Sequence, residues 1–290
     1  MKLLIPGKTF LVGEYAVLVG GKAPGVATEP YFVTDFSQQH MTTVHENSAA
    51  GLLLKSIGQT ELEINSVINS YGFGGFGQST AEFIATWFHN HTVHDTDVPT
   101  FLKNIFNQYR ELFDINSDLK KIKPSGADLI TQLLGKVTYF DPEVIHSKSL
   151  NWIFPELEFD IISTGIKVAT HDHLASLNLK SLEPLCEMTE NVLSAYLSVN
   201  QNNFLAAMKQ WSLKLIDLDL QHNHSLDLKQ LLEKCPEVIL AKPNGALGAD
   251  TITVFYQSAN KNQVREYLKN NNILYVTGSD SLSRGAHYVD

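Results

Sequence analysis

Four segments of the chain combine glycines with side chains able to do chemistry. In the first, Ser70-Tyr71-Gly72-Phe73-Gly74-Gly75-Phe76-Gly77-Gln78 runs into an amphipathic stretch from Ser79 to about His89. Glycine reaches positive φ at no steric cost and lets backbone N–H groups approach a ligand closely. Such a loop feeding a helix start suits an anion, because the first turn carries unpaired N–H donors at the positive end of the helix dipole. It lacks the closing Gly-Lys-Ser/Thr of a Walker loop and the register of a dinucleotide fingerprint. Ser79-Thr80-Ala81-Glu82 also reads as a capping box that would start the same helix without a ligand. Four glycines in six residues exceed what a cap requires, and that excess favours a phosphate cradle.

The second segment, Ser125-Gly126-Ala127-Asp128, has two readings as well. It is a helix cap worth about 1 kcal/mol, or it aims an aspartate at a phosphate loop, to orient or deprotonate an attacking oxygen. In the third, Pro6-Gly7-Lys8 and Gly13-Glu14-Tyr15 set a cation and a carboxylate on either side of the apolar run Thr9 to Val12. The fourth, Lys242-Pro243-Asn244-Gly245-Ala246-Leu247-Gly248-Ala249-Asp250, is a turn between two strand-like runs, with glycines suited to left-handed backbone. His89, His91 and His94, His171 and His173, and His222 and His224 have no ligand spacing tied to a scaffold, and read as solvated surface histidines. Cys186 and Cys235 read as two buried thiols in helix-like surroundings rather than a disulfide or a metal site.

The elements that must hold these segments alternate between strand and helix. Strand-like runs cover Leu3 to Ile5, Thr9 to Val12, Tyr31 to Asp35 and Glu61 to Ile68. Helical spacing recurs from about Pro99 to Phe113, and a short helix starts at Ser125 to Asp128 and stops at Gly135. After a strand over Lys136 to Phe140, the stretch Asp141 to Leu150 is the expected boundary between two halves. The second half reads as a strand at Phe159 to Ser163, helices over Leu182 to Ser198 and Phe204 to Leu218, two strands flanking the fourth segment, a helix, and a final strand near Ile273 to Val276. The pattern is that of an α+β protein in two parts.

With 290 residues, 43% of them hydrophobic, the chain can bury a core in each part. Only 18% of residues are charged and the net charge is −9, which argues against a protein that neutralises a nucleic-acid backbone. No apolar run approaches the roughly 20 residues that span a bilayer, and the opening Met1 to Gly7 breaks too early for a secretory signal. A soluble, cytoplasmic protein that binds neither membrane nor nucleic acid is expected.

Taken in chain order, these segments resemble the GHMP kinase superfamily. Pro6 to Leu18 resembles the first family motif, and its Gly-Glu-Tyr-Ala-Val-Leu spelling is nearest to phosphomevalonate kinases. Gly75 to Ala81 is similar to the phosphate loop, Ser125 to Asp128 to the segment of the catalytic aspartate, and Lys242 to Asp250 to the third motif. The resemblance implies a ribosomal-protein-S5-type domain over residues 1–147 and a second α+β domain over 148–290, with the active site between them. It further implies ATP and Mg²⁺ as cofactors, phosphomevalonate or mevalonate as acceptor, and a possible homodimer.

By the same resemblance Asp128 is the catalytic base or orienting carboxylate, and Lys8 polarises the acceptor oxygen or neutralises the transferring phosphoryl group. Gly74, Gly75, Gly77, Gln78, Ser79 and Thr80 hold the nucleotide, and Ser79 also ligates the metal. Glu14, Tyr15, Ser125, Gly126, Gly245, Ala246 and Gly248 line the acceptor, and Glu111 is a candidate second metal ligand. Lys121, Lys123 and Lys167 are available for an acceptor phosphate. The chain departs from the family pattern at Tyr71, Gln78, Leu247 and Ala249, which leaves a weak kinase or a nucleotide-binding sensor as the alternative.

Overall fold

The computed structural model describes residues 1–38, 40–91, 98–115, 123–143, 145–166 and 177–290. Its strands are β1 (Lys2–Phe10), β2 (Gly25–Asp35), β3 (Met41–Thr43), β4 (Glu63–Asn65), β5 (Ile68–Asn69), β6 (Val137–Asp141), β7 (His146–Leu150), β8 (Leu157–Ser163), β9 (Val238–Asn244), β10 (Thr251–Gln257), β11 (Tyr275–Gly278) and β12 (His287–Val289). Helices α1 (Ala49–Ser56), α2 (Gln78–Asn90), α3 (Val98–Ile115) and α4 (Ala127–Leu134) fall before β6. Helices α5 (Pro184–Leu197), α6 (Gln201–Asp217), α7 (Asn223–Leu232) and α8 (Lys261–Asn270) follow β8.

One antiparallel sheet runs β12-β1-β2-β6-β7 with β5 beside β2, and a second runs β11-β8-β10-β9. The two expected runs Leu3 to Ile5 and Thr9 to Val12 are one strand, because Pro6 and Gly7 sit at an irregularity in its pairing with β2 rather than at a turn. The expected strand over Glu61 to Ile68 is instead two short ones, β4 and β5. Helices α1 and α7 had no expectation behind them. Leu52, Leu53 and Leu54 form too short an apolar run to tell a helix from a strand, and α7 is polar on most of its surface. Cys186 in α5 is half-buried and Cys235, in the turn after α7, is buried; both are free.

The expected boundary at 147/148 falls inside β7, which pairs along its length with β6. The first sheet therefore extends to Leu150, and β12 returns to it by pairing with β1. A buried apolar cluster reaches from Leu3 and Ile5 under the first sheet through Phe159 and Phe204 to Phe255 in the second. No helix among the described residues is long and apolar enough to cross a membrane.

The returning segment seals α4 from behind. Ala286 N–H donates to the Gln132 carbonyl at 2.8 Å, and Lys136 N–H donates to the Ser283 carbonyl at 2.6 Å. Gly285 lies so close that a methyl there would collide with the Leu133 carbonyl, whereas one on Gly58 would meet nothing within 4 Å. Gly285→Ala is expected to destabilise by about 3 kcal/mol or more through overpacking, and Gly58→Ala by about 1 kcal/mol through its left-handed φ alone. Urea unfolding checks the pair, and equal midpoints would contradict the tight docking of the terminus.

Candidate active site

Lys8 reaches the site from β1, just past a slip in the β1–β2 ladder: Pro6 faces Tyr31, but Gly7 faces Thr28. Side chains bind the backbone groups at this slip. Gly7 N–H donates to the Tyr71 hydroxyl at 2.8 Å, and that hydroxyl donates to the Thr28 carbonyl. Tyr71, a departure from the family loop, is therefore its anchor. Its buried ring stacks on Phe76 at 4.2 Å, and the Phe76 carbonyl accepts Lys8 N–H at 3.0 Å. The loop is thus hydrogen-bonded to β1 at Lys8 itself.

Gly77, at φ 88° and ψ 34°, caps α2 without a side-chain cap hydrogen bond. The capping box does not form: Ser79 lies inside the helix, so the Ser-Thr-Ala-Glu spelling is not what starts it. Ser79 and Gln78 are exposed, while Thr80 is buried with its hydroxyl hydrogen-bonded to Tyr109. Gln78 ties the loop to the helix, accepting from Asn69 Nδ2 at 3.2 Å and donating to Glu82 Oε1 at 3.1 Å. Gly72 and Gly75 both have positive φ, and Gly74 beside them is half-buried.

Helix α4 starts in the same way. Its cap is Gly126 at φ 79°, one residue past the expected Ser125. Ser125 Oγ accepts Ala127 N–H at 3.3 Å instead. Gly126 is required there because the Phe106 ring of α3 lies against it and would collide with a Cβ. Asp128 leaves the first turn of α4 and its Oδ1 lies 3.1 Å from Lys8 Nζ; the carboxylate is one-third exposed and the lysine less so. Beneath them Tyr109 packs edge-on against Phe83 of α2 at 4.9 Å. Its burial, and secondarily the Asp128 charge, push the phenol pKa well above the usual range, so this hydroxyl stays protonated.

The residues expected to line the acceptor divide into two groups. Glu14 and Tyr15 are buried and fasten the first motif to the third. Glu14 pairs with Lys242 in the interior, where burial pulls the lysine pKa down and the carboxylate opposes that pull. The Tyr15 hydroxyl accepts Leu247 N–H at 2.8 Å. Gly245, Ala246 and Gly248 do form a turn, and Asp250 at its end packs against Gly75 of the glycine loop. A Cβ on Gly75 would lie 2.6 Å from Asp250 Cβ, and one on Gly245 would collide with the same carboxylate. Leu247, in place of a family glycine, keeps a left-handed backbone (φ 52°, ψ 23°). That costs about 1–2 kcal/mol; the bond to Tyr15 and the 2.7 Å bond from His222 N–H to its carbonyl offset it.

Glu111 is not brought to the site. It is exposed on α3, away from the buried face of Ile105, Tyr109 and Leu112. Lys123 pairs with Asp114 at the surface, while Lys121 and Lys167 lie outside the described residues. Arg110 was not expected: its guanidinium donates to the Pro124 carbonyl at 2.9 Å, beside Ser125, and no carboxylate pairs with it among the described residues. Only its place one residue after the periodic Tyr109 could have signalled it. His89 stacks on Phe36, His91 on Trp87, and His222 caps α7, so these rings serve packing; His94, His171 and His173 lie outside the described residues.

Mg²⁺ takes oxygen donors, commonly one or two carboxylates plus substrate phosphates. Ser79, exposed in the first turn of α2, and Asp128, one-third exposed beside Lys8, offer oxygen donors of that kind, and the described residues hold no cluster of three or more acidic or imidazole ligands. A nucleotide phosphate fits the same turn, whose glycines leave its backbone accessible.

No family model matches the chain, and no curated protein sequence matches it. Solved structures do, over nearly the full length. Methanococcus jannaschii mevalonate kinase aligns with 98% of this chain and 98% of its own at 12% identity and a TM-score of 0.63. Streptococcus pneumoniae phosphomevalonate kinase, solved with phosphomevalonate and AMPPNP, aligns over 96% and 99% at 14% identity and 0.66. Lactococcus lactis galactokinase, solved with galactose, aligns over 99% and 95% at 11% identity and 0.65. The likeness is one of fold.

If the buried pair fastens the two motifs, Lys242→Met should cost about 3–5 kcal/mol by leaving Glu14 buried without a counter-charge. Glu14→Leu combined with Lys242→Met should recover most of that loss. Thermal unfolding of the two single variants and the double distinguishes this from additive damage.

Proposed function

On this GHMP-kinase fold we propose a working ATP-dependent kinase that transfers the γ-phosphoryl group of ATP to a small acceptor, with phosphomevalonate favoured and mevalonate as the alternative. The observation that carries this reading is the Lys8–Asp128 pair, 3.1 Å apart beside the glycine loop. Phosphoryl transfer needs little covalent help from a protein; it needs positioned charge and an oriented nucleophile.

Each residue of the pair has a place in that chemistry. Asp128, the more exposed of the two, orients the attacking acceptor oxygen, and takes its proton where that oxygen is a hydroxyl, as its bond to phosphorus forms and the bond to ADP breaks. Lys8, 3.1 Å from that carboxylate, offers positive charge to the moving phosphoryl group. The first turn of α2 holds nucleotide phosphates through its backbone N–H groups. Mg²⁺, held by Ser79 and Asp128, would neutralise phosphate charge when bound.

The preference for a phosphorylated acceptor is supported by the motif spelling and by Arg110. Guanidinium recognises phosphate in a forked geometry, and the Pro124 bond occupies only one arm of this one.

ADP release with Mg·ATP, measured against mevalonate, phosphomevalonate, homoserine and sugars, tests the reading. Turnover with one acceptor should fall by about 10²–10⁴-fold in Asp128→Asn; nucleotide binding without turnover on any acceptor would move the reading to a sensor. Arg110→Gln should raise KM for phosphomevalonate by about tenfold or more, the worth of a charged hydrogen bond, and leave that for mevalonate unchanged. An equal change for both acceptors removes Arg110 from phosphate recognition.

A further inference from the structure

Gln132 has no part in the chemistry described so far, yet it occupies the junction of everything that performs it. It stands one turn beyond Asp128 on α4, on the same face, and is fully buried. Its Nε2 donates to the Pro6 carbonyl at 2.9 Å, two residues before Lys8, at the slip in the β1 ladder. A Cβ placed on Gly77 would lie 3.1 Å from Lys8 Cγ and 3.3 Å from Gln132 Cδ, so both side chains floor the loop where it turns into α2. Its own carbonyl is held by Ala286 N–H of the returning terminus at 2.8 Å. Its Oε1 is buried and has no hydrogen-bond partner among the described residues.

A buried amide that leaves one of its own atoms unsatisfied is costly, at about 1–3 kcal/mol. An apolar side chain would fill this space more cheaply, and the one strong bond that Gln132 makes goes to the strand of Lys8. We infer that Gln132 is a positioning residue: it locks α4 to β1 and thereby sets the separation of Asp128 and Lys8 under the Gly77 turn. This rests on the kinase reading for its kinetic consequence but not for its geometric one.

Gln132→Met keeps the volume and removes the donor. It is expected to lower kcat by about 10–100-fold, the scale of an ångström-sized misplacement of reacting groups, with KM for ATP within about twofold. In a Lys8→Met background the same substitution should have almost no further effect, because the pair it positions is already gone. A full additional loss in that background would show a general packing defect and overturn the inference, as would an unchanged kcat in the otherwise wild-type chain.

A crystal structure of Gln132→Met gives a second readout that needs no turnover. The inference expects Lys8 Nζ and Asp128 Oδ1 to separate beyond salt-bridge range, and an unaltered 3.1 Å pair overturns it. If the wild-type chain turns over no acceptor, the kinase reading fails and this distance still decides the role of Gln132. Should the Met variant not fold, Gln132→Glu, close to it in shape but unable to donate when ionised, takes the same two measurements.

Discussion

A strand that loses its ladder register must have its backbone polar groups satisfied by other means, and here that requirement falls just before Lys8. Pro6 and Gly7 take hydrogen bonds with Gln132 and Tyr71. Those side chains come from α4 and from the entry to the glycine loop. The accounting of backbone groups therefore draws the lysine strand, the aspartate helix and the phosphate loop to a single place. A regular strand would have spent these groups on β2 and not on side chains of the other two elements.

A second set of buried polar contacts joins the turn after β1 to β9 and the turn that follows it. Glu14 and Lys242, both in the interior, pair across the first and third motifs, and Tyr15 holds the Leu247 turn. The Tyr15 phenol, its pKa pushed well above the usual range by burial, stays protonated in this role. Since an unpaired buried charge is far more costly than an exposed one, the pair fixes the first motif against the third in one relative placement. Asp250 then lies between Gly75 and Gly245 with room for no side chain on either.

Three of the four departures from the GHMP motif pattern, at Tyr71, Leu247 and Gln78, have physical accounts within this structure. Tyr71 supplies a hydroxyl where the β1 slip needs both a donor and an acceptor. Leu247 tolerates left-handed backbone because both of its peptide groups are hydrogen-bonded. Gln78 bridges Asn69 and Glu82 across the start of α2. None of these disturbs the Lys8–Asp128 pair or fills the first turn of α2, so the substitutions are compatible with a competent site.

Much of this was legible from residue order. Helices with strong periodicity (α2, α3, α5, α6) and the strands around the third motif follow from spacing, because a 3.6-residue or two-residue period is a local property. The glycine loop stood out for the same reason, whereas Asp128 and Lys8 became candidates only through the order of the four segments. Other features were not local. Glu14 and Tyr15 read as acceptor contacts and are buried fasteners, Glu111 read as a metal ligand and faces solvent, and β12 closes the first sheet by pairing His287 with Leu4, more than 280 residues away in the chain. Whether Ser79 and Ser125 cap helices or stand beside a ligand was undecided locally, and the backbone at Gly77 and Gly126 shows that these glycines, not the serines, are the caps. Residue type sets what a side chain can do, but which partner it meets depends on packing between distant segments, and that packing assigned Gln132, Tyr71 and Lys242 their roles.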